Sequence, residues 1–165
     1  GFIPDDIEPA WRTTALDALQ RVRECYRRAG PVRSIRLQGD CHPGNILWTG
    51  SGPHFVDFDD CRSGPAVQDL WMLLSGDREA MAGQLADVLS GYREFRKFDL
   101  RELRLIEALR TLRMIHYAGW LAVRWDDPAF PASFPWFNTQ RYWQDRVLEL
   151  REQVAAMQEE PLQLP

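Results

Sequence analysis

The sequence has few of the features that would mark a nucleic-acid binder, a disulfide-rich protein or a membrane protein. Its net charge is −4 and it contains no dense run of Lys or Arg, so it lacks the concentrated basic face that phosphate neutralisation requires. Its three cysteines show no CxxC spacing, which disfavours a disulfide framework and a zinc site and favours reduced thiols in the cytoplasm. No apolar run approaches the roughly 18 residues that span a bilayer. We therefore expect neither nucleic acid nor a membrane as a partner.

The composition is that of a folded protein. Of the 165 residues, 45% are hydrophobic and seven are Trp, which is enough for one compact domain with its own core. We expect a single domain over residues 1–165. Because the chain begins with Gly1 rather than Met, we also expect it to be a fragment of a longer protein.

Apolar residues recur at helical spacing in most of the chain, which predicts a mainly helical fold. The long predicted helices are Pro9–Ala29, Asp77–Phe95, Asp99–Arg124 and a last helix capped by Thr139. A short buried helix is expected over Ala66–Leu74 and a brief strand over Val32–Leu37, whereas residues 61–65 read as a turn. Asp99 and Glu102 fit a capping box. His116 falls on an apolar stripe and reads as a hydrogen-bonded core histidine.

The segment Asp126–Asn138 contains three prolines and four aromatic residues. The prolines argue against regular structure, while the aromatics must pack on something. The segment is either a loop fixed to the core or one wall of a substrate pocket. The last five residues, 161–165, are expected to be a loose tail.

The stretch Leu37–Asp60 is the most informative part of the sequence. A polar loop carrying Asp40 and Asn45 is followed by two short apolar runs separated by a Gly/Ser/Pro turn, the pattern of a β-hairpin. The hairpin ends at Asp57, so its return strand can bring Asp57 next to Asp40 and Asn45. Converging oxygen donors of this kind suit a hard divalent cation and a proton acceptor.

Phosphoryl transfer needs these residue types. It requires one carboxylate near the attacking hydroxyl and oxygen ligands for Mg²⁺, roles that Asp40, Asn45 and Asp57 can fill. A glycosidase-type pair of Asp40 and Asp57 remains open but leaves Asn45 without a role. Asp69 lies within an apolar run, where a carboxylate needs partners, and we expect it to anchor backbone N–H groups of the polar loop.

The motif Gly39–Asn45, followed by Asp57, Gly64-Pro65 and Asp69-Leu70, resembles the aminoglycoside phosphotransferase/choline kinase superfamily. Within it, the sequence is most similar to bacterial stress-response Ser/Thr protein kinases, from Gly1 to about residue 159. The resemblance implies an α+β, mainly α-helical fold: a protein-kinase-like C-terminal lobe with a small β-hairpin. It also implies ATP as a substrate and Mg²⁺ as a cofactor.

By this resemblance Asp40 is the catalytic base or orienter, and Asn45 and Asp57 are the metal ligands. The residues expected to support them are Gln38, His42, Asp59 and Asp69. Family members usually have His where this chain has Gln38, and that difference bears on the geometry of the loop.

Two features of kinase-like N-terminal lobes are missing from the sequence. There is no Gly-rich phosphate loop, and the single lysine, Lys97, does not lie on a strand where it could contact the nucleotide. We therefore expect that the N-terminal lobe is absent from this chain and that the isolated fragment is inactive.

The predicted function of the intact protein is ATP- and Mg²⁺-dependent phosphorylation of Ser/Thr in a protein substrate during stress response. One alternative is a small-molecule kinase for an amino alcohol, sugar or aminoglycoside, in which aromatic residues contact a cationic substrate; the candidates are Phe130, Phe134, Trp136 and Phe137. The other is a non-catalytic pseudokinase or interaction module, for which Gln38 is the only hint.

Overall fold

The computed structural model describes residues 1–164. Helices predominate, and the strands form two small antiparallel sheets, which confirms the predicted mainly helical α+β fold. The elements in chain order are α1 (Glu8–Ala29), β1 (Ile35–Leu37), β2 (Ile46–Thr49), β3 (Gly52–Phe55), β4 (Arg62–Gly64), α2 (Val67–Leu70), α3 (Arg78–Phe95), α4 (Ile106–Arg124), α5 (Ala129–Ser133) and α6 (Gln140–Ala156). None of the helices in residues 1–164 is both long and apolar enough to cross a membrane.

The chain divides into two compact units. The first unit combines residues 1–26 with residues 107–159, and the second unit combines residues 27–106 with the residues from Glu160 onward. The single kinase-like lobe over residues 1–165 stays a prediction.

The first unit is built on aromatic residues. Phe137 is fully buried, and its ring centroid lies 5.0 Å from that of Trp125 and 5.3 Å from that of Tyr142. The hydroxyl of Thr139 accepts a hydrogen bond from the Tyr142 N–H and caps α6, as its sequence predicts. Phe137 is therefore part of the core of this unit, and Phe130 and Phe134 of the same segment pack against that core.

The expectation that residues 126–138 lack regular structure is wrong in part. α5 forms over Ala129–Ser133 with Pro131 inside it. Proline is tolerated in the first turn of a helix because the N–H groups there have no intrahelical acceptor. Because α5 has only five residues, Pro131 lies in its first turn.

The second unit contains both sheets. In the hairpin, β2 pairs with β3 in the register Ile46↔Phe55 to Thr49↔Gly52, as predicted. β1 pairs with β4, with Leu37 opposite Arg62, and the prediction of a turn over residues 61–65 is therefore wrong. β4 has three residues and no apolar alternation, so its sequence carries no strand signal.

The predicted capping box at Asp99 is also wrong. Asp99 does act as a cap, accepting a hydrogen bond from the Arg101 N–H, but a 3₁₀ segment, Leu100–Leu105, precedes α4. The Glu102 carboxylate is buried and accepts a hydrogen bond of 2.9 Å from the Val67 N–H at the start of α2. Glu102 thus serves a different helix from the one that its sequence position suggests.

The C-terminal residues are less loose than predicted. Leu162 is buried, with 6% of its surface exposed. Pro165, the last residue of the predicted tail, lies outside the described residues.

Candidate active site

The polar loop leaves β1 through a backbone conformation that only glycine adopts easily. Gly39 has φ +93°, and a Cβ at this position would lie 2.1 Å from the Asp60 carbonyl oxygen. The Arg62 side chain holds that segment, since its Nε donates to the Asp60 carbonyl over 2.9 Å and its guanidinium pairs with the Asp60 carboxylate at 3.0 Å. Gly39 therefore lets the loop pass directly against the chain that follows the hairpin.

Asp69 braces the start of the loop from α2. One carboxylate oxygen accepts a hydrogen bond of 2.7 Å from the Gln38 N–H, and the other accepts one of 2.9 Å from the Gly39 N–H. Hydrogen bonds to an ionised acceptor are roughly twice as strong as neutral ones. Gln68, also on α2, donates to the Gly39 carbonyl over 3.3 Å. The predicted contact between Asp69 and the loop backbone is present.

The Gln38 side chain connects the loop to the end of the hairpin. Its Oε1 accepts a hydrogen bond of 2.8 Å from the Asp40 N–H. Its Nε2 donates to the carbonyl oxygens of Val56, at 3.0 Å, and Asp57, at 2.5 Å. A neutral amide donates and accepts at the same time, so Gln38 can hold the backbones of Asp40 and Asp57 together without any titration.

Asn45 makes a second connection between the loop and the hairpin. Its side chain is buried and donates through Nδ2 to the Asp40 carbonyl at 3.1 Å, while its own carbonyl accepts from the Val56 N–H at 3.0 Å. Because Nδ2 is engaged in this way, the amide presents its oxygen, Oδ1, as the remaining acceptor.

Asp57 has a left-handed backbone, with φ +58°. It is the only described residue other than glycine with positive φ, a conformation that is uncommon outside glycine and is often found at functional sites. The strained residue is thus the predicted anionic metal ligand, held by the bond that its carbonyl receives from Gln38.

His42 shapes the middle of the loop. Its Nδ1 accepts a hydrogen bond of 3.0 Å from the Gly44 N–H, and its Nε2 lies 3.5 Å from Oδ2 of Asp40. The Asp40 side chain retains 19% exposure. The catalytic candidate is therefore oriented by a neighbour and still open to a substrate.

Cys41 lies between Asp40 and His42 but is unsuited to act as a nucleophile. It is buried, and burial together with the charges of Asp69 and Asp40 raises the pKa of its thiol to about 11. At neutral pH the group is a protonated thiol, which is a poor nucleophile.

One predicted supporting residue lies outside this network. Asp59 is exposed, and no hydrogen bond or ion pair joins it to the rest of residues 1–164. Conversely, sequence reasoning missed Gln68 and Arg62 as contributors to the loop. Neither of them carried a signal, because a polar residue in a short helix and a basic residue in a turn are ordinary surface features.

The residues present fit a magnesium ion shared with a phosphate group. Among residues 1–164, no group of three or more His, Cys, Asp or Glu side chains is arranged to hold a metal ion. Mg²⁺ in nucleotide sites, however, takes one or two protein oxygens and completes its shell with phosphate and water. Oδ1 of Asn45 and the carboxylate of Asp57 are the oxygens that the chain would contribute.

The profile of the phosphotransferase enzyme family matches residues 3–106, the part of the chain that contains every residue of this site. The chain belongs to this phosphotransferase family. The match confirms the resemblance inferred from the Gly39–Asn45 motif.

Individual phosphotransferases match over nearly the whole chain. The chain is 46% identical over 163 residues to stress response kinase A of Salmonella choleraesuis, strain SC-B67, and of Escherichia coli, strain K12. It is equally similar to the serine/threonine protein kinase RdoA of Salmonella typhimurium. These alignments cover 99% of this chain and 49% of each relative, so the chain spans about half the length of the curated relatives it matches.

Proposed function

We propose that the intact protein is an ATP- and Mg²⁺-dependent phosphotransferase that phosphorylates Ser or Thr in a protein substrate during stress response. The observation that carries the proposal is the Gln38 amide, which is hydrogen-bonded to the Asp40 N–H and to the Asp57 carbonyl. It holds the candidate base beside the candidate metal ligand. The names of the relatives, stress response kinase and serine/threonine protein kinase, support the substrate class.

Asp40 accepts or orients the proton of the attacking hydroxyl. Its carboxylate is partly exposed and lies close to His42 Nε2, and its backbone is fixed on both sides, by Gln38 at the N–H and by Asn45 at the carbonyl. A general base must lie within hydrogen-bond reach of the proton that it removes. The two hydrogen bonds to the Asp40 backbone provide that placement without help from the nucleotide.

Asn45 and Asp57 are the residues that would hold the magnesium ion. When bound, Mg²⁺ neutralises charge on the transferring phosphoryl group. Asn45 would contribute a neutral oxygen and Asp57 an anionic one. The Asn45 side chain donates to the Asp40 carbonyl and the Asp57 carbonyl accepts from the Gln38 side chain, so both residues are tied to the same loop. Replacing Asp57 by Asn should therefore raise the Mg²⁺ concentration needed for half-maximal activity in the intact protein, while leaving the fold unchanged.

The remainder of the nucleotide site is proposed to lie in a preceding half of the protein. The hairpin exposes apolar side chains that a neighbouring lobe and a nucleotide base could cover, since Trp48 is 78% and Leu47 52% exposed. Exposed apolar groups that cluster on one element are typical of an interaction surface. The isolated chain is accordingly expected to be inactive.

A small-molecule substrate is supported less well. Phe137, one of the aromatic residues considered for binding a cationic substrate, is fully buried, and Phe134 and Trp136 pack against each other at 5.8 Å. Phe137 therefore belongs to the core cluster of the first unit and Phe134 packs against it, while Trp136 remains 42% exposed.

The cytoplasm remains the proposed location. The three cysteines, which all lie within residues 1–164, form no disulfide there, and reduced thiols are usual in that compartment.

An acceptor panel tests the proposal. The intact protein would be incubated with radiolabelled ATP and Mg²⁺ in the presence of a generic Ser/Thr protein substrate, choline, a sugar or an aminoglycoside. Label on the protein substrate or on the enzyme's own Ser/Thr is the expected result. Labelling of a small alcohol alone would make the protein a small-molecule kinase, and no Mg²⁺-dependent consumption of ATP at all would leave a pseudokinase.

A further inference from the structure

The second unit contains a cavity that the proposed phosphotransfer does not use. Its volume is about 560 Å³, and none of the candidate active-site residues lines it. Cavities of roughly 300–1,000 Å³ are the size of small-molecule sites. The cavity therefore has room for an organic ligand distinct from the nucleotide.

The rim of the cavity is basic. Arg33, Arg96 and Lys97 line it, all three are exposed, and they include the only lysine of a chain whose net charge is −4. No ion pair joins Arg33 or Arg96 to a carboxylate within residues 1–164. Two guanidinium groups and an ammonium around one opening favour an anion.

The two acidic residues of the lining are already engaged. Asp99 is held by the Arg101 guanidinium at 2.6 Å, and Oε2 of Glu102 accepts a hydrogen bond from the Val67 N–H at 2.9 Å. Neither carboxylate is paired with Arg33 or Arg96 in the ion pairs of the described residues. The positive charges of Arg33 and Arg96 are therefore available to a ligand.

The walls of the cavity are apolar and partly aromatic. Ile35 and Leu100 contribute aliphatic surface, while Tyr92 and Phe98 meet edge to face with ring centroids 5.8 Å apart. Aromatic rings in this arrangement leave faces or edges against which another flat ring can pack. Inorganic phosphate would use the rim alone, whereas a ligand with an aromatic body would use the walls as well.

We propose that this cavity binds a small organic anion, with an aromatic body against Tyr92 and Phe98 and a phosphate or carboxylate group at Arg33, Arg96 and Lys97. The proposal goes beyond the phosphotransferase function and does not depend on it.

The position of the cavity connects a bound ligand with the loop. Ile35 lies in β1, three residues before Gln38, and Ala66 adjoins α2, which carries Asp69. β1 leads directly into Gln38 and Gly39, whose N–H groups are held by the Asp69 carboxylate of α2. The backbone amide NMR signals of β1 and α2 should therefore report whether a ligand occupies the cavity.

Titration calorimetry on this chain tests the proposal with 1-naphthyl phosphate, 2-naphthoate, 2-naphthol and inorganic phosphate. Mg²⁺ is left out, so that the carboxylates of the candidate active site repel anions. Saturable binding of either naphthyl anion, at least about 10-fold tighter than naphthol and phosphate, is expected, and the preferred anion identifies the head group. Absence of saturable binding by both anions would overturn the proposal.

Matched variants locate the binding. The double variant Arg96→Gln/Lys97→Gln should weaken the binding of the better anion at least about 10-fold, since it removes charge-assisted contacts. Arg27→Gln/Arg104→Gln removes the same charge from exposed positions outside the cavity. The affinity of this control variant for the better anion should stay within about 2-fold of that of the wild type. Equal weakening of binding by both pairs of substitutions would contradict binding in this cavity. So would ligand-induced changes in backbone amide NMR shifts that are largest away from Ile35, Ala66 and Phe98. Circular dichroism verifies that each variant is folded.

Discussion

Single side chains determine the shape of the candidate active site. Asp69 receives two backbone N–H groups, Gln38 joins the Asp40 N–H to the Asp57 carbonyl, and Gly39 permits the close passage of the loop. The first of these contacts could be predicted because a carboxylate inside an apolar run must find donors. A supporting role for Gln38 was expected from the resemblance, but its hydrogen-bond partners could not be predicted, since an amide in a loop has many possible partners and only the folded chain shows which of them it meets.

Asp69→Asn should lower the free energy of unfolding by about 2 kcal/mol. Asparagine has one acceptor oxygen and no charge, so one of the two backbone N–H groups loses its partner. Urea unfolding measures the change. Asp59→Asn is the matched control, because Asp59 is exposed and makes no side-chain hydrogen bond or ion pair within residues 1–164. Equal effects of the two substitutions would contradict the role of Asp69 in holding the loop.

Gly39→Ala should disrupt the loop and destabilise the chain by more than about 1 kcal/mol, because the residue has φ +93° and its Cβ would meet the Asp60 carbonyl. Gly91→Ala is the control. Gly91 lies in α3 with nothing near its added Cβ, and there alanine should stabilise by about 0.5–1 kcal/mol. Opposite signs in thermal or urea unfolding are the expected result, and a neutral Gly39→Ala would be inconsistent with the backbone described.

Cys41 should resist alkylation at neutral pH. In a Cys25→Ser/Cys61→Ser background, the rate of reaction with iodoacetamide should keep rising as the pH approaches about 11, the raised pKa of this buried thiol, because only the thiolate reacts. Free cysteine is the reference. A rate at pH 7 equal to that of free cysteine would show an exposed, activated thiol instead.

At the scale of elements, the existence of the helices could be predicted more reliably than their buried faces. In α1 the buried positions are mostly small residues, Thr14, Ala18, Val22, Cys25 and Ala29, whereas the stripe of larger residues leaves Tyr26 36% exposed. In α4, His116 is exposed rather than a core histidine, and Thr111 is fully buried instead. Small side chains let packed elements approach closely, and a count of large apolar residues overlooks them.

Glu102 links the segment before α4 to the start of α2. Burial raises the pKa of Glu102, although the Val67 and Ala66 N–H groups act in the opposite direction. The folded chain therefore binds this proton more tightly than the unfolded chain does. The resulting contribution to the free energy of unfolding is fully present below pH 4.5, the ordinary pKa of a glutamate. It is lost as the pH rises through the raised pKa of Glu102 in the folded chain.

Glu102→Gln keeps an acceptor for Val67 and removes the titration. The unfolding free energy of the wild type minus that of the variant should decrease as the pH rises from below 4.5, the ordinary pKa of a glutamate. Urea unfolding at a series of pH values measures this difference. Glu152→Gln, at an exposed position of α6, is the control, and a difference that stays flat or increases with pH would contradict the burial of an ionisable carboxyl.

At the scale of the whole molecule, the chain carries the candidate catalytic loop and the candidate metal ligands, but its alignments cover only 49% of each kinase relative. The sequence lacks a Gly-rich phosphate loop, and its one lysine lines the basic cavity. The loop motif made the family predictable, because it places several chemically demanding residues in a fixed order. The division into two units was not predictable, since no change in composition marks it.

The isolated chain should bind ATP weakly. We expect no micromolar affinity for Mg²⁺-ATP in calorimetry, since the proposed site lacks groups that cradle the phosphates. The intact protein, measured under the same conditions, provides the comparison. Micromolar binding to the 165-residue chain would mean that the nucleotide site is complete without a second lobe.

The most direct test of the central claim is phosphoryl transfer by the intact protein carrying Asp40→Asn. Asparagine keeps the size of the side chain but cannot accept the proton, so the rate of transfer from Mg²⁺-ATP should fall by about 10²–10⁴-fold. The affinity for Mg²⁺-ATP and the urea midpoint should remain those of the wild type. Transfer at the wild-type rate by this variant would contradict the assignment of Asp40 and, with it, the proposed active site.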